Sequence, residues 1–154
     1  MLPDAVLDMG QPRAGEVWVD CTLGFGGHTE LLLEAGANVF GIDQDAQARA
    51  FATKRLARFG ERFKALEGNF RDVEGLLERH GVGPVDGILA DIGVSSWQLD
   101  QADRGFSFRN AGPVDMRMNP SAGQSALELI RALTHGELAR ILSRYGEEKR
   151  AGQV

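Results

Sequence analysis

Two carboxylates and a run of glycines carry the first chemistry legible in this chain. The stretch Val17-Trp18-Val19-Asp20-Cys21-Thr22-Leu23-Gly24-Phe25-Gly26-Gly27-His28 reads as a buried strand, Glu16 to Cys21, turning through glycines 24, 26 and 27 into a helix that begins near His28 or Thr29. Glycine takes positive φ without strain and leaves no Cβ between a ligand and the main chain. The first turn of a helix adds unpaired N–H groups. A strand-to-helix turn that merely needs glycines has the same pattern. Asp43 follows Gly24 by 19 positions, the separation at which an acid takes the ribose hydroxyls of a nucleoside cofactor; capping the helix behind it is the alternative. A dinucleotide fingerprint would place glycine or alanine where this chain has Thr29, which disfavours a pyrophosphate and with it a nicotinamide-dependent oxidoreductase. An S-adenosyl cofactor, with a carboxylate and an ammonium group but no phosphate, needs glycine backbone and a nearby acid instead.

Further candidates follow along the chain. Asp91 ends an apolar run and precedes Gly93. A carboxylate there can accept a hydrogen bond from an exocyclic amine and turn its nitrogen lone pair toward an electrophilic methyl, chemistry in which positioning dominates; it can equally cap a turn. Phe70 stands where an aromatic could stack on an adenine or simply fill the core. His28 can hydrogen-bond a cofactor carboxylate or serve a structural role. Arg104, Arg109 and Arg117, interleaved with Phe106 and Phe108, form the one local basic-aromatic cluster. Such a cluster can hold phosphate and stack bases, or its arginines can be solvated loop residues.

These groups need a scaffold, and the rest of the chain supplies one. Met1 to Arg13 holds a short apolar cluster, Ala5, Val6, Leu7 and Met9, read as one helical turn or two. Thr29 to Ala35 is a compact helix that Gly36 can end. Asn38 to Ile42 is a second strand that ends at Asp43, and a long helix runs from Gln44 or Asp45 to Phe59 through Ala48, Phe51, Ala52 and Leu56. Arg62 to Glu67 makes a third strand, Asp72 to His80 a third helix, and Val85 to Asp91 a fourth strand. Strands alternating with helices in this way give an α/β fold, a mostly parallel sheet with helices on both faces. Ligands bind beyond the carboxyl ends of such strands, and those ends carry Asp20 with the glycine loop, Asp43, Gly68-Asn69-Phe70 and Asp91-Ile92-Gly93. From Ile92 to Gly123 the periodicity stops in favour of a long irregular segment, of the kind that tends to be functional. Two short helices follow, roughly Ser125 to Ala132 and His135 to Tyr145.

Composition narrows the field. With 154 residues, 43% hydrophobic and 25% charged, the chain fits a globular protein of ordinary size. A net charge of −5 argues against a generally basic nucleic-acid-binding surface, so any such contact must be local. No apolar run approaches the ~20 residues of a membrane span, and Met1-Leu2-Pro3-Asp4 lacks the basic and apolar regions of a signal peptide. A cytoplasmic location is expected, with no membrane partner. The single Cys21 excludes an internal disulfide and a multi-cysteine metal site, no metal is expected, and the thiol suits an inert packed position.

Several runs occur in order that together closely resemble the bacterial ribosomal RNA small-subunit methyltransferase H family. They are residues 19–28, Gly41-Ile42-Asp43-Gln44-Asp45, Gly68-Asn69-Phe70, residues 85–100, Arg104-Gly105-Phe106-Ser107-Phe108, and Gly112-Pro113-Val114-Asp115-Met116-Arg117-Met118. The resemblance covers nearly the whole chain. It implies a class I, Rossmann-like, S-adenosylmethionine-dependent enzyme that methylates N4 of a cytidine in the decoding region of 16S ribosomal RNA, with the small ribosomal subunit as partner. It implies cofactor contacts at Gly26, Gly27, His28, Asp43, Phe70, Asp91 and Gln98, with Asp91 close to the reacting centre. Residues 1–100 would then be the cofactor-binding core, and 101–154 an irregular loop and the start of a helical substrate-recognition insertion, with the arginine-aromatic cluster near its base. The family's opening His-x-Pro-Val segment is absent here and its pattern continues past Gly146-Glu147-Glu148, so a chain truncated at its C-terminus is expected, and a catalytically inactive nucleoside-binding domain is the alternative. Cys21 stands where glycine or alanine is common, and Asp91 opens Asp-Ile-Gly-Val where many amino-methyltransferases have Asp-Pro-Pro-Tyr.

Overall fold

Trp18 and Val19 are neighbours in sequence and belong to different cores, because successive side chains on a strand point to opposite faces. Trp18 packs with Leu32, Leu33, Val39, Ala52 and Leu56, while Val19 packs with Cys21, Ile42, Leu66 and Leu76. The strand between them is β1 (Val17–Asp20), flanked by β2 (Asn38–Asp43) and β4 (Gly87–Leu89), with β3 (Phe63–Glu67) beyond β2. All pairings are parallel, in the order β3-β2-β1-β4. Helices α2 (Gly27–Glu34) and α3 (Ala46–Leu56) supply the first core, and α4 (Val73–Arg79) supplies the second. Helices therefore cover both faces, as the alternation of strands and helices predicts. Each fully buried leucine, isoleucine or valine removed from water contributes about 1.5–3 kcal/mol before chain entropy is counted.

This computed structural model describes residues 3–154; Met1 and Leu2, which open the expected cofactor-binding segment, lie outside the described residues. The chain divides into two compact units, Met1–Gly93 and Val94–Val154. In the first, α1 (Pro3–Gly10) precedes β1. The expected long second helix stops at Leu56 and continues as a 3₁₀ turn, Ala57–Arg62, that accommodates Gly60 at φ 57°. The fourth strand is shorter than the predicted Val85 to Asp91. At its start the Asp86 carboxylate accepts the Val17 N–H at 2.8 Å, and past its end the Asp91 N–H goes to the Thr22 hydroxyl at 2.8 Å, so side chains replace ladder partners on both sides.

The second unit contains α5 (Ser96–Asp100), α6 (Ala126–Ala132) and α7 (His135–Gly146). Helix α5 lies inside the stretch expected to be irregular. All three helices open with a capping box, Ser95 with Gln98, Ser125 with Glu128, and Thr134 with Glu137, in which each side chain satisfies a backbone N–H the helix itself leaves unpaired.

Glycine is sterically required where Trp18 lies against the fourth strand, since a Cβ at Gly87 would sit 2.5 Å from the indole ring carbons. Gly87→Ala is expected to cost about 1–3 kcal/mol by overpacking. Gly83→Ala, where nothing lies within 4 Å, should stay within about 0.5 kcal/mol of the parent. Urea denaturation of the two variants measures the difference, and equal midpoints would contradict this packing.

Candidate cofactor site

Parallel strands end together, so β1, β2 and β3 deliver Asp20, Asp43 and Glu67 to one edge of the sheet, with Asp43 opposite Glu67 in the register. Asp20 is only 1% exposed. One carboxylate oxygen accepts the Thr29 hydroxyl at 2.7 Å, and the other accepts the Thr22 amide at 3.0 Å and the Thr22 hydroxyl at 3.4 Å. Burial pushes its carboxyl above the usual carboxylate range, against the opposing pull of these hydrogen bonds. Asp20 thus fastens the glycine loop to the first turn of α2.

Asp43 takes the loop from the other side. It accepts the Gly24 N–H at 2.8 Å and the Asp45 N–H at 2.9 Å, one on each oxygen. The helix-capping alternative falls to a neighbour: Asp45 caps α3 through the Gln47 amide at 3.0 Å. Each carboxylate oxygen of Asp43 keeps a further lone pair for a hydroxyl donor. The 19-residue spacing of glycine and acid is in this fold a hydrogen bond. Arg49 supports the arrangement, donating to the Asp43 carbonyl at 3.0 Å and pairing with Glu67 at 2.8 Å.

The glycines divide their labour. Gly26 takes φ 78° and caps α2, and a Cβ there would meet Leu56 Cδ1 at 2.8 Å, so its bare backbone serves the packing of α3. Gly24 takes φ 49° and a Cβ would meet only the Thr22 carbonyl at 3.8 Å, so this is the position whose main chain lies open. Gly27 begins α2 and contributes one of the N–H groups left unpaired at a helix start. His28 follows, 7% exposed, with its Nε2 buried and lacking a hydrogen-bond partner, an arrangement proteins generally avoid. Its Nδ1 lies 3.8 Å from the Asp91 carboxylate, whose side chain is 56% exposed. Phe70 is 40% exposed at the head of a 3₁₀ turn capped by Asn69, so it is not the core phenylalanine that its sequence context also allowed. Among the described residues no group of three or more His, Cys, Asp or Glu could hold a metal ion, and no helix is long and apolar enough to cross a membrane.

The profile of the MraW methylase family matches residues 1–154. The chain belongs to this family. Among its relatives, the ribosomal RNA small subunit methyltransferase H of Anaeromyxobacter dehalogenans (strain 2CP-1 / ATCC BAA-258) is 53% identical over 154 residues, covering 100% of this chain and 49% of the relative. The protein of the same name from Sorangium cellulosum (strain So ce56) is 53% identical over 150 residues, covering 97% of this chain and 48% of the relative. The chain spans about half the length of these curated relatives. The solved structure of precorrin 8W decarboxylase from Methanobacterium thermoautotrophicum is similar with a TM-score of 0.50 and 23% identity, over 58% of this chain and 46% of that one. That likeness concerns the fold alone, an α/β arrangement with a parallel sheet between helices.

In this MraW-family chain the remaining sequence candidates fall in the second unit. Gln98 is buried and closes the capping box of α5, its side-chain oxygen accepting the Ser95 N–H at 3.0 Å. Arg104 is 5% exposed, donates to the carbonyls of Arg117 and Met118 at 3.1 and 3.0 Å, and lies over the rings of Trp97 and Phe106. It braces the loop from inside, so it is not the solvated loop arginine that its sequence context also allowed. Arg117 is held by Asp115 in a bidentate pair at 2.9 and 2.7 Å. Phe108 and Arg109 remain exposed, and with Ser96, Leu99, Phe106 and Ser107 they help line an open cavity of about 370 Å³.

The Arg117 guanidinium beside Asp115 holds that carboxyl down at about 2, from an ordinary 3.8. A depressed acid stabilises the fold above its ordinary value, and the contribution is lost as pH falls through about 2. Arg117→Gln should return the Asp115 titration toward 3.8 and so diminish the stability that the depressed carboxyl contributes above that pH. Carboxyl-carbon NMR titration reads this directly, and an unchanged Asp115 midpoint would reject the pairing as the cause.

Proposed function

We propose that this chain carries the cofactor half of an S-adenosylmethionine-dependent methyltransferase whose substrate is N4 of a cytidine in the decoding region of 16S ribosomal RNA, in the small ribosomal subunit. The observation that carries the reading is the clasp of Asp43 on the Gly24 amide beside an open glycine backbone and a His28 whose buried Nε2 lacks a hydrogen-bond partner among the described residues. Those groups fit the cofactor's chemistry. The Asp43 lone pairs suit ribose hydroxyls, the Gly24 to His28 loop, with Gly26 and Gly27, suits the methionine carboxylate, and exposed Phe70 suits the adenine face. Gln98 joins this set on the family resemblance alone. The cofactor, when bound, supplies an electrophilic methyl group. Asp91, a cofactor contact on the family resemblance, would also accept an N–H of the exocyclic amine and so aim the nitrogen lone pair.

On this reading residues 1–100 form the cofactor-binding core and 101–154 begin the substrate-recognition region. A target base must leave its stack to be reached, and Phe106, Phe108 and Arg109 offer stacking and charge to the strand around it. The names of the relatives support ribosomal RNA as the substrate class.

Calorimetry with S-adenosylmethionine tests the core of the proposal. The parent should bind, and Asp43→Ala should lose at least about tenfold in affinity, as expected for removing charge-assisted hydrogen bonds worth ~1.5–3 kcal/mol. Equal binding by both would sink the assignment. Transfer of labelled methyl to small subunits lacking the modification then tests the reaction, and binding without transfer would confine this chain to holding the cofactor.

A further inference from the structure

We propose that the Thr22 hydroxyl is a positioning residue that sets the place of Asp91 opposite His28. The proposal rests on the cofactor reading above, since that reading gives Asp91 its work. Asp91 lies two residues beyond Leu89, the last residue of β4, and its carboxylate is 56% exposed. Among the described residues its side chain faces His28 Nδ1 at 3.8 Å, an ion-pair distance too long for a hydrogen bond. The ladder between β1 and β4 makes its last backbone bond from the Cys21 amide to the Leu89 carbonyl at 2.8 Å. The chain then turns into the glycine loop and offers β4 no further carbonyl. The Thr22 hydroxyl takes over, accepting the Asp91 N–H at 2.8 Å.

The direction of that bond is fixed from behind. A hydroxyl has one proton and two lone pairs, and the proton of Thr22 faces the Asp20 carboxylate at 3.4 Å, which leaves a lone pair for Asp91. Asp20 is itself anchored by the Thr22 amide and by Thr29 in the first turn of α2. That turn also carries His28. One buried carboxylate thus references both the helix turn that carries His28 and, through Thr22, the backbone of Asp91, and so sets where the two side chains start from across the mouth of the loop. Nothing in the sequence spacing marks Thr22 for this role, because the residues it joins are far apart in the chain.

Four variants test it: Thr22→Val, which keeps the shape and removes the hydroxyl, Thr22→Ser, which keeps the hydroxyl, Asp91→Ala, and Thr22→Val combined with Asp91→Ala. In the free protein, hydrogen exchange at the Asp91 amide should quicken about fivefold or more in Thr22→Val, the loss of one hydrogen bond, and stay at the parent rate in Thr22→Ser. By calorimetry, Thr22→Val should weaken S-adenosylmethionine binding, Thr22→Ser should restore it, and the double variant should bind no worse than Asp91→Ala alone, the mark of two residues acting through one contact. An unchanged Asp91 exchange rate in a folded Thr22→Val protein, or losses that add in the double variant, would overturn the inference. Failure of the parent to bind the cofactor would instead overturn the proposed function, leaving the exchange measurement to decide the role of Thr22.

Discussion

A carboxylate sealed from water at the end of β1 is the constraint on which the rest of the site depends. Burying a charge costs several kcal/mol unless hydrogen bonds replace its lost water, and Asp20 recovers them from Thr22 and Thr29. The arrangement is possible only if strand, loop and helix keep one geometry, since any shift would strand a buried acceptor. The start of α2 adds its partial positive charge on the same side. The neighbouring Cys21 bears the consequence: burial and the nearby Asp20 charge push its thiol above its ordinary value, so it stays a protonated packing group, in keeping with the inert role its strand-end position suggested.

The glycine loop illustrates how a motif can combine two demands that look identical in a sequence. At Gly26 the missing Cβ makes room for Leu56, and at Gly24 it leaves backbone open beside the amide that Asp43 holds. Packing of α3 and approach of a ligand therefore use different glycines of one run. Both needs tighten the same turn, because α3 also begins with the Asp45 cap, whose amide the Asp43 carboxylate holds.

Much of this was legible in the amino-acid order. The alternation of short apolar runs with amphipathic stretches gave four parallel strands and their helices, since burial on both faces of a sheet leaves few other ways to write such segments. The acid after the second strand was legible through its distance from the glycines. Helix α5 was not found, although Ser95-x-x-Gln98 is a capping signature, because five residues are too few to show a helical period. The roles of Asp20, Thr22 and Thr29 were hidden for a different reason: their partnership exists only once a strand and a helix are packed. The burial of Arg104 was hidden on the same account, since sequence gives an arginine its charge but not its exposure.

That last point bears on how an acidic chain could meet RNA at all. With a net charge of −5, binding to a polyanion must come from a local surface, and two of the three arginines in the loop are spent on carbonyls and on Asp115. What remains at the cavity is Arg109 with the fully exposed ring of Phe108. Such a surface is better suited to stacking a base than to neutralising a phosphate backbone, because an aromatic face gains ~1–3 kcal/mol per stacked base without a charge to balance. Under the proposed function, this loop would contribute recognition of an unstacked nucleotide, and the electrostatic share of affinity would have to be supplied by other parts of the assembly.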